Sequence, residues 1–284
     1  MEAALAARVH YLDLGGLFDW TRRQLRLNRR FAEARLTAIL GMGCAPGLTN
    51  VMAAHAGAEF ERLNSIRIRV GGIDFNKEHA FAFPYSAQTI VEELTLAPWK
   101  WSGGRFVEAK PRTGWERVAF GSPVGDVWCV MTRHSEMATL PRFFRAKGLR
   151  EADFKVGFDR KFVRQIMRRM QSGQTVRDFE KFPASRLEPN DYEVTRVIVS
   201  GAKRTVTIDC HARSRSDWHA SAGDIDTGCP ASIVAQMVAS RAISSCGVFA
   251  PEDVVSYQSL FPEIERRGMK IISRVATSSR PGSV

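Results

Sequence analysis

The chain has 284 residues, enough for one large domain or two ordinary ones, and its 44% hydrophobic and 25% charged content is that of a soluble globular protein. A formal net charge of +11 favours anionic partners: nucleic acid, phosphates, carboxylates or an acidic surface. No apolar stretch approaches a membrane span, and the opening MEAALAARVHYLDLGG lacks the basic start and long apolar middle of a secretory leader, so the cytoplasm is the expected location.

Residues 2–8 read as the end of a helix. VHYLDL (9–14) alternates and stops at Gly15 and Gly16, a short strand followed by a turn. A helix is predicted over 19–35. LTAILGMG (36–43) is a short apolar run of the kind a buried parallel strand shows. Pro46 and Gly47 break the chain, and LTNVMAAHAGAEF (48–60) predicts a helix with Leu48, Val51, Met52 and Ala56 on its apolar face. Strand, helix, strand, helix is the pattern of a parallel α/β layer. Such a layer normally opens on a strand and a glycine-rich phosphate loop, whereas this chain opens on the tail of a helix, as though earlier units had been cut away.

Further on, SIRIRVGG (65–72) alternates basic and apolar residues as a strand, and a helix is predicted near 86–94 with Ser86 as its N-cap. WKWSGGRFVEAKP (99–111) reads as a hairpin turning at Ser102, Gly103 and Gly104. VWCVMTR (127–133) is a strand, and TLPRFFRAKG (139–148) starts a short helix with Pro141 in its first turn. ADFKVGF (152–158) is a strand. RKFVRQIMRRM (160–170) is an amphipathic helix, with Phe162, Ile166 and Met170 inward and a basic outer face. An irregular connection over 173–190 leads to a hairpin over 191–212. A helix over 230–242 opens on Pro230, a helical turn opens on Pro251 and Glu252, and a strand is predicted over 268–275 before a disordered tail.

Five cysteines, Cys44, Cys129, Cys210, Cys229 and Cys246, stand far apart without a CxxC pair. Neither a disulfide framework nor a metal site is expected. The basic runs RRQLRLNRR (22–30) and 160–170 read as solvated helix faces, since no zinc-finger or aromatic RNA-binding motif accompanies them; nucleic acid ranks last among the partners.

GMGCAPG (41–47) follows a strand and precedes a helix, the context of a dinucleotide loop, but Pro46 occupies the third glycine position and removes an amide donor. It reads better as a tight connection at the carboxyl edge of a sheet, where ligands of open α/β sheets bind, with Asn50 able to present its amide there. Tyr11 and Asp13 share one strand face, where a carboxylate could orient an amine or a water, though the pattern alone favours a surface Tyr and a turn-forming Asp. His134 and Glu136, two apart at a strand end, are candidates for proton transfer. Gly71 and Gly72 mark a sharp turn or a close approach of backbone.

The ordered blocks HYLDLGG (10–16), GCAPGLTNVMAAH (43–55), RVGGI (69–73), FPYSAQTIVEE (83–93), RHSEMATLPR (133–142) and TGCPASIVAQMVASRAISSCGVFAPE (227–252) together resemble the saccharopine dehydrogenase and lysine 6-dehydrogenase superfamily. The short VGGI loop and HSEMATLP block bring the lysine dehydrogenase branch closer. The resemblance implies an α/β protein: the remnant of a Rossmann-type parallel sheet (1–64), an α/β substrate and dimerisation domain with a mixed sheet (65–225), helices returning to the first part (226–276) and a tail (277–284). By that likeness roughly a hundred residues with the glycine-rich turn would lie before Met1.

The implied activity is NAD(P)-dependent oxidation or reduction at the CH–NH bond of an amino acid such as lysine or saccharopine, in a homodimer of truncated chains. Tyr11, Pro46, Gly47 and Asn50 would face the NAD or NADP. Gly71, Gly72 and Tyr85 would line the substrate, with Arg133 and Arg142 on its carboxylate. Asp13, His134 and Glu136 would handle the proton. The alternative is a catalytically silent interaction or dimerisation protein.

Overall fold

The computed structural model describes residues 1–76, 84–181 and 188–277; the expected tail, Phe83 at the head of FPYSAQTIVEE and the middle of the irregular connection lie outside them. Helix α1 (Glu2–Ala7) ends at Arg8 in the left-handed region, and strand β1 (Tyr11–Leu12) follows. The single helix expected over 19–35 is two, α2 (Phe18–Leu25) and α3 (Asn28–Glu33). The reason is tertiary: Asn28 at the start of α3 turns its Oδ1 to accept the Val248 amide at 2.8 Å, a demand that periodicity does not report. Strand β2 (Thr37–Ile39) is buried throughout and helix α4 (Leu48–Ala58) follows it, as the apolar runs predict.

Strand β3 (Ser65–Asp74) sends Ile66, Ile68 and Val70 into the core. Its alternate positions carry arginines, and Arg69 is buried against Glu116 (2.9 Å) and Asp153 (2.5 Å). Helix α5 (Ala87–Thr95) is capped by Ser86, whose Oγ accepts the Thr89 amide. Strands β4 (Trp99–Ser102) and β5 (Arg105–Glu108) form the expected hairpin, turning through Gly103 and Gly104 at φ 60° and 78°, values that favour glycine. Strands β6 (Glu116–Ala119) and β7 (Asp126–Met131) precede helix α6 (Glu136–Phe143). That helix starts three residues before Thr139, because Met137 and Leu140 are both drawn fully into the core, so Pro141 falls in its second turn rather than its first.

Strand β8 (Glu151–Gly157) is followed by the basic helix α7 (Arg160–Gln171). Within the connection expected to be irregular, a Thr175–Asp178 capping box opens helix α8 (Val176–Phe179). Strands β9 (Asp191–Ser200) and β10 (Arg204–Arg213) form the long hairpin. Helix α9 (Ala222–Ala239) begins eight residues before Pro230, because Ser221 and Asp224 cap it reciprocally; the expected border at 225/226 falls inside it. Strand β11 (Gly247–Phe249), helices α10 (Pro251–Val254) and α11 (Tyr257–Arg266) and strand β12 (Lys270–Thr277) complete the chain.

Among the described residues the strands form two sheets. A three-stranded parallel sheet has the order β1-β2-β11, and a nine-stranded mixed sheet runs β12-β10-β9-β3-β8-β4-β5 with β7 and β6 attached through β8. In the mixed sheet β3 and β8 are parallel, and the other pairings are antiparallel. The outer edge of β1 has no ladder partner among the described residues. The architecture is thus a small parallel sheet beside a larger mixed α/β unit.

Two polar knots fasten the small sheet. The first is Asp13. Its Oδ1 accepts the backbone amides of Gly15 (3.0 Å) and Gly41 (2.6 Å), and its Oδ2 accepts Tyr11 Oη (2.9 Å) and Gln24 Nε2 (2.7 Å). Burial, reinforced by the Asp13 charge, pushes the Tyr11 phenol up to about 12, so it stays a donor. The second is Asn50 in α4, which accepts the Gly47 amide (3.0 Å) and donates to Thr139 of α6 (3.2 Å) and Glu252 of α10 (2.8 Å). Glu252 is buried, which raises its carboxyl to about 7.

Asp13→Ala strands four donors and is expected to destabilise the chain by about 2 kcal/mol or more. Asp13→Asn, which keeps an acceptor for the two amides, should lose less; urea midpoints of the two variants check this. Glu252 binds its proton more tightly folded than unfolded, so its contribution to stability is complete below about pH 4.5 and is lost as pH rises through about 7. Melting of wild type and Glu252→Gln across that range should show the wild type losing about 3 kcal/mol relative to the variant; parallel curves would refute the assignment.

Candidate active site

A set of titratable side chains lies where α5, α6 and the ends of β3 and β9 meet the loop between β2 and α4. Tyr85, just before α5, donates its hydroxyl to Glu93 Oε2 at 2.5 Å. Glu93 Oε1 faces His134 Nε2 at 3.7 Å, and His134 Nδ1 is hydrogen-bonded to Glu136. Glu136 Oε1 in turn accepts Thr49 Oγ1 at 2.9 Å. The result is one continuous file: Tyr85, Glu93, His134, Glu136, Thr49. Glu136 is 0% exposed, and the His134 ring lies parallel on Phe154 at 3.9 Å.

Burial alone would lower the His134 imidazole, but the charges of Glu136 and Glu93 outweigh it and hold the ring above its ordinary value. Burial raises the Glu93 carboxyl against the pull of His134 and Tyr85. The Tyr85 ring is 40% exposed while its hydroxyl end is enclosed, and that enclosure together with Glu93 raises the phenol well above the usual range. Tyr85 is therefore the outer end of a file whose inner end is sealed.

A second acidic group lies within electrostatic reach of Tyr85. Glu193 of β9, opposite Gly72 in the sheet, is hydrogen-bonded to Asp226 of α9. The ligand atoms of Cys44, Glu193 and Asp226 lie within 4.8 Å of one another. Asp226 is 2% exposed; burial first and the Glu193 charge second raise its carboxyl well above the ordinary value. Two adjacent carboxyls in such a place hold one proton between them. Burial likewise raises the Cys44 thiol, which contacts Thr195 Oγ1 at 3.0 Å.

Of the residues singled out in the sequence, the structure brings Tyr85, His134 and Glu136 together. Asp13 and Asn50 are engaged in the knots described above. Arg133 is paired with Asp19 (3.2 Å) and Glu108 (3.4 Å), and Arg142 with Asp253 (2.7 Å), so neither joins the file. Gly71 is a glycine because a Cβ there would come within 2.4 Å of the Phe120 ring, and Gly72 because one would meet the Tyr192 carbonyl at 2.9 Å. Both are sites of close internal packing. Glu93, Glu193 and Asp226 escaped sequence reasoning.

The loop over 41–47 does not fit a pyrophosphate. The amide of Gly41 is bound to Asp13 Oδ1, that of Met42 to the Asp13 carbonyl, that of Gly43 to the Pro46 carbonyl and that of Gly47 to Asn50. The Pro46 ring packs on Gly15 and Gly41. A phosphate cradle needs free N–H groups aimed outward, and these point into the protein. Tyr11, Pro46, Gly47 and Asn50 are thus occupied in holding the loop.

A profile described as the Saccharopine dehydrogenase C-terminal domain matches residues 43–269. The carboxynorspermidine synthase of Vibrio alginolyticus is 26% identical over 178 residues, 57% of this chain and 41% of that protein. The carboxyaminopropylagmatine dehydrogenase of a Synechocystis species is 23% identical over 263 residues, 86% and 63% of the two chains. The chain thus spans about two-fifths to three-fifths of these curated relatives. In fold it is similar to apo saccharopine dehydrogenase (L-Glu forming) from Saccharomyces cerevisiae, with TM-score 0.71, 12% identity and coverage of 97% and 81%. It is also similar to the homospermidine synthase of Legionella pneumophila, solved in complex with NAD, with TM-score 0.69, 12% identity and coverage of 99% and 74%. With the profile covering most of its length, the chain belongs to the saccharopine dehydrogenase C-terminal domain family.

Proposed function

We propose that the chain is the amine-binding and proton-handling part of an NAD(P)-dependent oxidoreductase that works at a carbon–nitrogen bond of an amino acid bearing further amine groups. The observation that carries this reading is the excess of carboxyls over bases. Glu93 and Glu136 flank His134, the basic group of the file, and the Glu193–Asp226 pair lies within electrostatic reach of Tyr85 at the file's outer end. Acids crowded out of water resist ionising together, and a cationic amine supplies the missing positive charge. The compounds in the relatives' names, carboxynorspermidine, carboxyaminopropylagmatine, homospermidine and saccharopine, are amine-rich, which agrees with such a pocket.

In this reading the Glu193–Asp226 pair gives up its shared proton and holds a substrate ammonium. The reacting amine lies at Tyr85 Oη, its proton passes through the phenol to the Glu93 carboxylate, and His134, backed by Glu136, holds that carboxylate in place. NAD or NADP would supply the redox chemistry when bound, its pyrophosphate held outside the loop over 41–47. The engaged amides of that loop also favour a second reading, a catalytically silent interaction protein of the same family.

Calorimetric titration of the chain with a carboxylated triamine, lysine and glutamate, with and without NADPH, separates the two. The oxidoreductase reading predicts that amines bind, that glutamate binds more weakly, and that Glu193→Gln with Asp226→Asn weakens the amines about tenfold or more. Tyr85→Phe should leave amine affinity in place and remove turnover wherever turnover is measurable. Amine affinity indifferent to the double variant would defeat it, and failure to bind either amine or NADPH would leave the silent reading standing.

A further inference from the structure

On the outer side of α6, three elements enclose a groove of about 680 Å³. Arg22 and Arg26 reach it from α2 and the residue after it, Arg105 from the β4–β5 hairpin, and Arg142 and Arg145 from α6 and the turn that follows. A basic stretch on a convex helix is ordinarily a solvated face. Here five guanidinium-bearing side chains from separate parts of the chain line one concave surface, and among the described residues Arg142 is the member with a carboxylate partner, Asp253. The neighbouring acid Asp19 is paired with Arg133. A concave wall of one sign focuses its field, and cations held there without counter-ions repel one another, so an anion bound between them relieves strain that solvent relieves only in part.

The groove's floor is aromatic. Trp101 is fixed by its indole N–H to the Leu149 carbonyl (2.9 Å), and Phe106 stands edge-on to Trp101 (4.9 Å) and to Phe18 (5.4 Å). Phe106 is nevertheless 37% exposed, so part of a locked aromatic side chain faces the groove. Guanidinium groups suit phosphate oxygens through paired N–H donors, and a fixed aromatic surface suits a planar base. The volume is within the usual range for a small-molecule site, and all five arginines border this one groove, which favours a compact ligand over a polymer.

We infer that this groove binds a nucleoside polyphosphate, with the base on Phe106 and the phosphates on Arg22, Arg26, Arg105 and Arg145. It shares no residue with the Tyr85–Glu93–His134–Glu136 file, and it does not depend on the amine-binding reading.

Tryptophan fluorescence or calorimetry with ATP, AMP, inorganic triphosphate, adenosine and a short RNA tests it on the full chain. ATP and triphosphate are expected to bind, adenosine not, with affinity falling steeply as salt rises. Arg26→Glu with Arg145→Glu, both at exposed positions, should weaken ATP about tenfold or more, with an unchanged circular dichroism melt. Phe106→Ala should weaken ATP while sparing triphosphate. ATP affinity unmoved by the charge reversals would overturn the proposal, and so would RNA that binds more tightly than ATP and displaces it.

Discussion

Carboxyl groups withdrawn from water repel one another and resist ionisation, and this chain brings four of them together in two pairs, one flanking an imidazole and the other within electrostatic reach of Tyr85. Glu93 and Glu136 flank His134, and Glu193 leans on Asp226 within electrostatic reach of Tyr85. Each acid alone would be a costly burial; a proton shared by Glu193 and Asp226, and the raised basicity of His134 between Glu93 and Glu136, offset that cost. An arrangement of this kind is poised to take up a cation, and the rest of the fold can be understood as what holds these groups in one place.

Three of them come from the mixed-sheet unit and its helices: Glu93 from α5, Glu136 from α6 and Glu193 from β9. Asp226 comes from α9, and the loop between β2 and α4 brings Cys44 against that pair. The loop keeps its shape because Asp13 and Asn50 consume its amides. Asn50 also reaches α6 and α10, so the same side chain fixes the loop and the helix that carries Glu136. The polar residues of the small sheet are therefore fasteners, and the file of titratable groups lies where that sheet meets the larger one.

Much of the architecture was legible from pattern. The apolar run 36–43, the basic–apolar alternation of 65–72 and the glycine turn at Gly103 and Gly104 each became the element they signalled. His134 and Glu136 were legible as a pair, although they belong to the entry of α6 rather than to a strand end. Asp226 was hidden by a misplaced helix start. Once α9 is known to begin at Ala222, Asp226 falls on the apolar stripe of Ala222, Ile225, Cys229 and Ile233, and an acid on such a stripe is a signal. Glu93 likewise sits beside Ile90 and Leu94 on the buried side of α5. Glu193 carried no local signal, because its importance comes from a partner 33 residues away on another element. Asp13 reads from pattern as a turn-former and from the family likeness as a carboxylate placed for chemistry; in the structure it holds the turn at Gly15, and four donors claim it.

The most direct measurement is the proton balance of amine binding. If a cationic amine replaces the proton shared by Glu193 and Asp226, titration with a triamine near neutral pH in two buffers of different ionisation enthalpy will show protons released from the protein, and Asp226→Asn will abolish the release. Amine binding whose heat is the same in both buffers would contradict the account.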